Sequence, residues 1–293
     1  LAAAVACSAF TFLLGGGPIE MFCAFLGAGA GNFLRAKMNQ HHLTLFLCTA
    51  ASVALACIVY TIAFMALKSG FHISIHHQAG YICSMLFIIP GFPFITSGID
   101  LAKLDMRSGL ERLAYALIII AVATLAAWML ALVLHLKPMD FLPLNLSKSE
   151  YLVLRLIASF FGVLGFSMMF NSPLRLAATA GIIGAIANTT RLELVDLASF
   201  PPAAAAFLGA LLAGLLASMI KTSIGYPRIS LTVPSIVIMV PGLYLYRAIY
   251  NIGITSINTG AFWFTEALLI IMALPLGLIF ARIITDKTFR RCS

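Results

Sequence analysis

PGFPFITSGID at residues 90–100 and PGLYLYRAIYN at residues 241–251 decide how this chain is built. Each lies within a long apolar run. They align without a gap, Pro90-Gly91 on Pro241-Gly242 and Asp100 on Asn251. Proline removes a backbone donor and leaves one carbonyl without its helical partner, and glycine loosens the next turn. In lipid, freed backbone groups persist only where protein or a water-filled cavity satisfies them. A lone kink would serve packing alone. Two at matching places predict broken membrane helices, the best sequence pointer to a transporter's binding site.

The composition around these segments fits a membrane protein. The chain has 293 residues, of which 62% are hydrophobic and 10% charged, with a mean hydropathy of +1.05. Soluble domains carry about 25% charged residues, so the excess apolar surface must face lipid. A spanning helix takes roughly 17–25 apolar residues, and about ten such spans with short loops use up the chain. The formal charge of +8 comes from loop residues and predicts no nucleic-acid partner, since no basic patch is interleaved with aromatics. The six cysteines form no C-x-x-C pair, which predicts neither disulfides nor a metal site. His72, His76 and His77 share helical spacing but have no Cys, Asp or Glu nearby, and are read as loop residues. The glycines at 27, 29, 31, 181 and 184 lie in apolar spans without a βαβ context, and are read as helix-packing positions.

Apolar runs and their punctuation place five spans in residues 1–136 and five in 151–286. A polar linker, 137–150, joins them, and a short basic tail, 287–293, follows. FLLGGGPIEMFCAFLGAGAGNFLR (12–35) matches FSMMFNSPLRLAATAGIIGAIANTTR (166–191), so both halves have a turn followed by a proline-started, small-residue span. An odd number of spans per half would turn the second half upside down. The predicted fold is therefore all-α and integral to the membrane: two five-helix inverted repeats, with the fourth and ninth helices broken at Pro-Gly.

Charge bias gives the orientation. With the N-terminus in the cytoplasm, Arg35, Lys37, Lys103, Arg107, Arg112, Arg175, Lys221, Arg228, Arg282, Lys287, Arg290 and Arg291 lie inside. Lys68, Lys137, Lys148, Arg155 and Arg191 lie outside, and Arg247 lies within a span. Both termini are then cytoplasmic. The sequence opens at Leu1 inside an apolar run without a basic leader, which is not the pattern of a signal peptide and predicts a preceding segment.

The candidate substrate-binding residues surround the two breaks: Pro90, Gly91, Thr96, Ser97 and Asp100 in the first half, and Pro241, Gly242, Tyr244, Arg247 and Asn251 in the second. A cation inside a span costs at least about 2.5–3.5 kcal/mol on insertion scales. Arg247 should therefore face the interior and pair, with a substrate carboxylate or with an acid such as Asp100 or Glu266. Snorkelling to an interface is its other reading. Glu20, early in the second span, and Glu266, in the tenth, are candidate proton-coupling acids. The helix dipole alone also accounts for a glutamate at Glu20's position. No Ser/His/Asp set, phosphate loop or convergent carboxylate pair is present, so the sequence predicts no enzyme and no cofactor.

IIPGFPFITSGIDLAKLDMRSGLERL (88–113), GFSMMFNSPLRL (165–176) and TVPSIVIMVPGLYLYRAIYNI (232–252), in this order, resemble the threonine/serine exporter family over essentially the whole chain. Some of its relatives split the two halves into separate polypeptides, one pair being associated with succinate export. Members usually carry a cytoplasmic region before the first span, which this sequence does not include. The resemblance implies a multi-pass transporter in the cytoplasmic membrane that exports small amino acids, with the lipid bilayer and a small solute as partners and possible self-association. A dicarboxylate cargo is the rival within transport. A membrane-embedded enzyme or scaffold is the rival outside it.

Overall fold

The computed structural model describes residues 1–71, 80–136, 141, 144–287 and 289, with side chains omitted at 70, 71 and 221–224. His72, His76 and His77, part of the 137–150 linker and most of the 287–293 tail lie outside the described residues. All regular structure in the described residues is helical. The first succession is α1 (Ala2–Leu13), α2 (Pro18–Gln40), α3 (Leu45–Phe71), α4 (Tyr81–Ser84) with a 3-10 turn at Leu86–Ile88, α5 (Gly91–Ala102) and α6 (Met106–Val133). The second is α7 (Lys148–Met169), α8 (Leu174–Ala198), α9 (Pro202–Ile224), α10 (Arg228–Val237), α11 (Gly242–Gly253) and α12 (Ile257–Thr285).

Among the described residues, five helices are long and apolar enough to cross a membrane, or up to seven if each bent pair counts as one span. Their exposed faces carry large apolar side chains, such as Ile62 and Met65 on α3, Leu117 and Leu125 on α6, and Leu268 and Met272 on α12. Surface of this kind is stable against lipid rather than water. The remaining positions on these helices form the protein interior, where five free cysteines are also buried.

Both Pro-Gly segments break their helices. The axes of Tyr81–Ile88 and Gly91–Ala102 diverge by 50°, and those of Arg228–Val237 and Gly242–Gly253 by 47°. Pro90 is the N-cap of α5, and Pro93 falls in its first turn, where a missing N–H costs no intrahelical bond. Left-handed residues end corresponding elements in the two successions. Gly15 (φ 99°) and Asn171 (φ 59°) follow the first helix of each, His42 (53°) and Ser199 (52°) the second, and Leu104 (63°) and Thr255 (66°) the broken one. Gly27 of α2 faces Ser84, and Gly184 of α8 faces Ser235, closely enough that a Cβ would lie 2.9 Å from the Ser84 Cβ and 2.8 Å from the Ser235 carbonyl. Small residues at both places let helices approach to backbone contact.

The chain forms two compact units, each drawn from three stretches of sequence. One comprises Leu1–Ile89, Leu117–Lys148 and Gly242–Phe264; the other comprises Pro90–Ala116, Ser149–Pro241 and Thr265–Ser293. The chain changes unit at each Pro-Gly break, after Ile89 and after Pro241. In the first unit α2 packs along α3, with α1 and α4 against α2 and α11 against α4. In the second, α8, α9 and α10 pack together and α5 lies on α10.

Candidate functional site

In the first unit α11 supplies the polar groups. Its Tyr246 is fully buried and hydrogen-bonds the hydroxyl of buried Tyr81, at the start of α4, over 2.6 Å. The two rings meet edge to face at 5.9 Å, and Tyr250 stacks on Tyr246 at 6.3 Å. One turn of helix separates Tyr246 and Tyr250, which puts both on the same face of α11. Arg247 points elsewhere. Its guanidinium lies 4.9 Å from the centre of the Trp263 ring, whose edge also meets Tyr244 at 5.1 Å. A cation over an aromatic face is held by the ring quadrupole. Asn251 donates its side-chain amide to the Arg247 carbonyl, 2.7 Å away, and so braces the end of α11.

Glu20 lies in the same unit, almost fully buried. Its carboxylate accepts the Gly17 N–H at 2.9 Å, which caps the start of α2 before Pro18. Gly80 fills the gap between Glu20 and buried Tyr60: a Cβ there would lie 2.2 Å from the Tyr60 hydroxyl and 3.1 Å from the Glu20 Cγ.

In the second unit the groups beyond the first break are engaged by protein. Thr96 donates to the Phe92 carbonyl one turn back, at 2.9 Å. Ser97 donates to the Gly109 carbonyl of α6 at 2.7 Å. Asp100 forms an ion pair with Arg112 at 2.7 Å. Gly91 packs against Val237 and Val240 at the end of α10, with 3.2 Å left to a Cβ. Before the second break, Arg191 of α8 donates to the Met239 carbonyl at 3.4 Å, so a cation sits on one of the backbone oxygens that follow the end of α10. Glu266 is half-buried on α12, and its Oε2 has no hydrogen-bond partner among the described residues.

The predicted site residues thus divide between the units. Gly242, Tyr244, Arg247, Asn251 and Glu20 belong to the first; Pro90, Gly91, Thr96, Ser97, Asp100, Pro241 and Glu266 belong to the second. The first unit brings Tyr244 and Arg247 together on Trp263. Sequence reasoning missed Tyr60, Tyr81, Trp263, Arg112 and Arg191. One signal was available: aligning Asp100 with Asn251 also aligns Arg112 with Trp263. The acid–base pair of the first segment is thereby replaced by an amide and an aromatic ring in the second, where Arg247 sits.

The threonine/serine exporter family model ThrE matches residues 1–135, and a second model, Threonine/Serine exporter, ThrE, matches residues 155–284. No solved structure matches the chain.

Proposed function

From the premise that the chain belongs to the threonine/serine exporter family, we propose that it is a secondary transporter moving threonine and serine out across the cytoplasmic membrane. Family membership and the apolar helices support a multi-pass membrane exporter. The proposal adds the cargo, the direction, the site and the drive.

The observation that carries the site is Arg247 held over Trp263 on the helix that follows the second break. Arg247 binds the amino-acid carboxylate, Trp263 and Tyr244 shape the pocket beside it, and Pro241-Gly242 supplies unwound backbone for the ammonium group. Thr96, Ser97 and Asp100, engaged by α5 and α6, fix the segment around Pro90-Gly91 instead of contacting the cargo. Asn251 does the same for α11.

The recurring left-handed residues, the matched bends and the paired Gly27/Ser84 and Gly184/Ser235 contacts support a ten-span reading as two inverted five-span repeats. The inner ends of such repeats exchange access by rocking about the breaks. Proton motive force drives the cycle, with Glu266 as the first candidate acid because one of its oxygens has no hydrogen-bond partner among the described residues. Glu20 is the second.

Efflux of labelled threonine from proteoliposomes, with and without a pH gradient, tests this directly. Gradient-dependent efflux that excess serine competes away is the expected result. Efflux of succinate but not threonine would replace the cargo with a dicarboxylate.

A further inference from the structure

We propose that the second unit carries a site for the phosphate of an anionic phospholipid headgroup, in the cavity bordered by Lys103, Arg228 and Arg282. The cavity is about 540 Å³, within the roughly 300–1,000 Å³ of ordinary ligand pockets. Three separate elements bring their cations to it: Lys103 caps the C-terminus of α5, Arg228 opens α10, and Arg282 lies in the last turn of α12. Among the described residues Asp286 is the one carboxylate in the lining, so these residues give the cavity an excess of positive charge.

Each cation is placed differently. Arg228 is fixed in the wall, donating to the Thr285 hydroxyl and to the Gly214 carbonyl, both at 2.8 Å. Those bonds use two of its five N–H groups and leave others for a ligand. Arg282 pairs with Asp286 at 3.6 Å and stacks over Phe289 at 4.1 Å. Lys103 is exposed, and its side chain has no partner among the described residues, so its ammonium can close on an anion.

The rest of the lining selects the kind of anion. Ile99, Ile229, Leu278 and Ile279 share the cavity with the cations. Apolar walls give nothing to a free hydrophilic anion, but they accept the glycerol and first methylenes of a lipid. Tyr226 lies at the rim, 40% exposed, as aromatics do at the headgroup level. All three cations also fall on the side that the charge bias assigns to the cytoplasm, where anionic lipids are concentrated and basic pockets between helices take their headgroups. The site is independent of what the chain transports.

Native mass spectrometry of the purified full chain, titrated with dioleoyl phosphatidylglycerol or dioleoyl phosphatidylcholine, tests the assignment. Phosphatidylglycerol should be retained in preference. Lys103→Gln and Arg282→Gln should each weaken it about fivefold, and together about twentyfold, at roughly one lipid-facing charge apiece. Arg228 is left intact because its bonds hold α9, α10 and α12 together. Unchanged helix content and elution position would show that the double variant is folded. Equal retention of the two lipids, or retention unchanged in the folded double variant, overturns the proposal. Displacement of the lipid by millimolar inorganic phosphate would make this a free-phosphate site, and displacement by threonine would put it on the transport route; either result overturns the lipid assignment.

Discussion

The hydroxyls of Tyr81 and Tyr246 lie 2.6 Å apart with both side chains fully buried. This bond ties the short helix before the first break to the helix after the second, across 165 positions of sequence.

Removing one partner strands the other. Tyr81→Phe or Tyr246→Phe alone should lower stability by about 1–3 kcal/mol, because a buried hydroxyl is left unsatisfied. The double variant should lose much less than the sum of the two singles. Thermal unfolding of the four proteins in one detergent measures this. Strict additivity would mean that the two hydroxyls do not depend on each other.

Arg247→Ala should weaken threonine binding about 10- to 100-fold, the range of a charged hydrogen bond worth about 1.5–3 kcal/mol. Arg247→Lys should recover part of that loss, since the charge returns without the planar stack on Trp263. Trp263→Leu should raise the threonine concentration needed for half-maximal efflux without abolishing transport. Scintillation proximity binding on folded protein decides. Threonine affinity unaltered in Arg247→Ala removes the arginine from the site.

Glu20 and Glu266 should separate under amide substitution. Glu20→Gln keeps an oxygen to accept the Gly17 N–H and should retain gradient-driven efflux. Glu266→Gln should keep threonine exchange at equal pH but lose acceleration by a gradient. If Glu20→Gln is the variant that loses gradient dependence, the two assignments must be reversed.

Gly80→Ala should destabilise by about 1–3 kcal/mol, as overpacking does, because its methyl would lie 2.2 Å from the Tyr60 hydroxyl. Gly29→Ala is the control: its Cβ meets Ala4 at 3.5 Å, an ordinary contact, so a midhelix glycine-to-alanine change there should be neutral or stabilising. Equal melting temperatures for the two variants would contradict the geometry.

The two breaks were legible because proline and glycine act through their own backbone. Pro90-Gly91 and Pro241-Gly242 interrupt their helices whatever surrounds them. The pairings of Asp100 were not legible. The sequence offered it to Arg247, whereas the fold gives it to Arg112, twelve residues on and beyond a left-handed turn at Leu104. Arg191 looked like a loop cation, yet α8 continues to Ala198 and sets that guanidinium on the Met239 carbonyl.

By itself the sequence determined the class of this protein, its candidate spans, the two breaks and the family it resembles. Each follows from composition, from residues within a few positions of one another, or from order along the chain. Tertiary structure decided which side chains meet. Tyr81 and Tyr246, or Glu20, Tyr60 and Gly80, are joined by helix packing, and in a chain where most positions are apolar no periodicity marks the inward face. It also decided that the compact units exchange segments at the breaks. A helix interrupted by proline has two ends, each free to pack with different neighbours, and local sequence does not encode which neighbours those are.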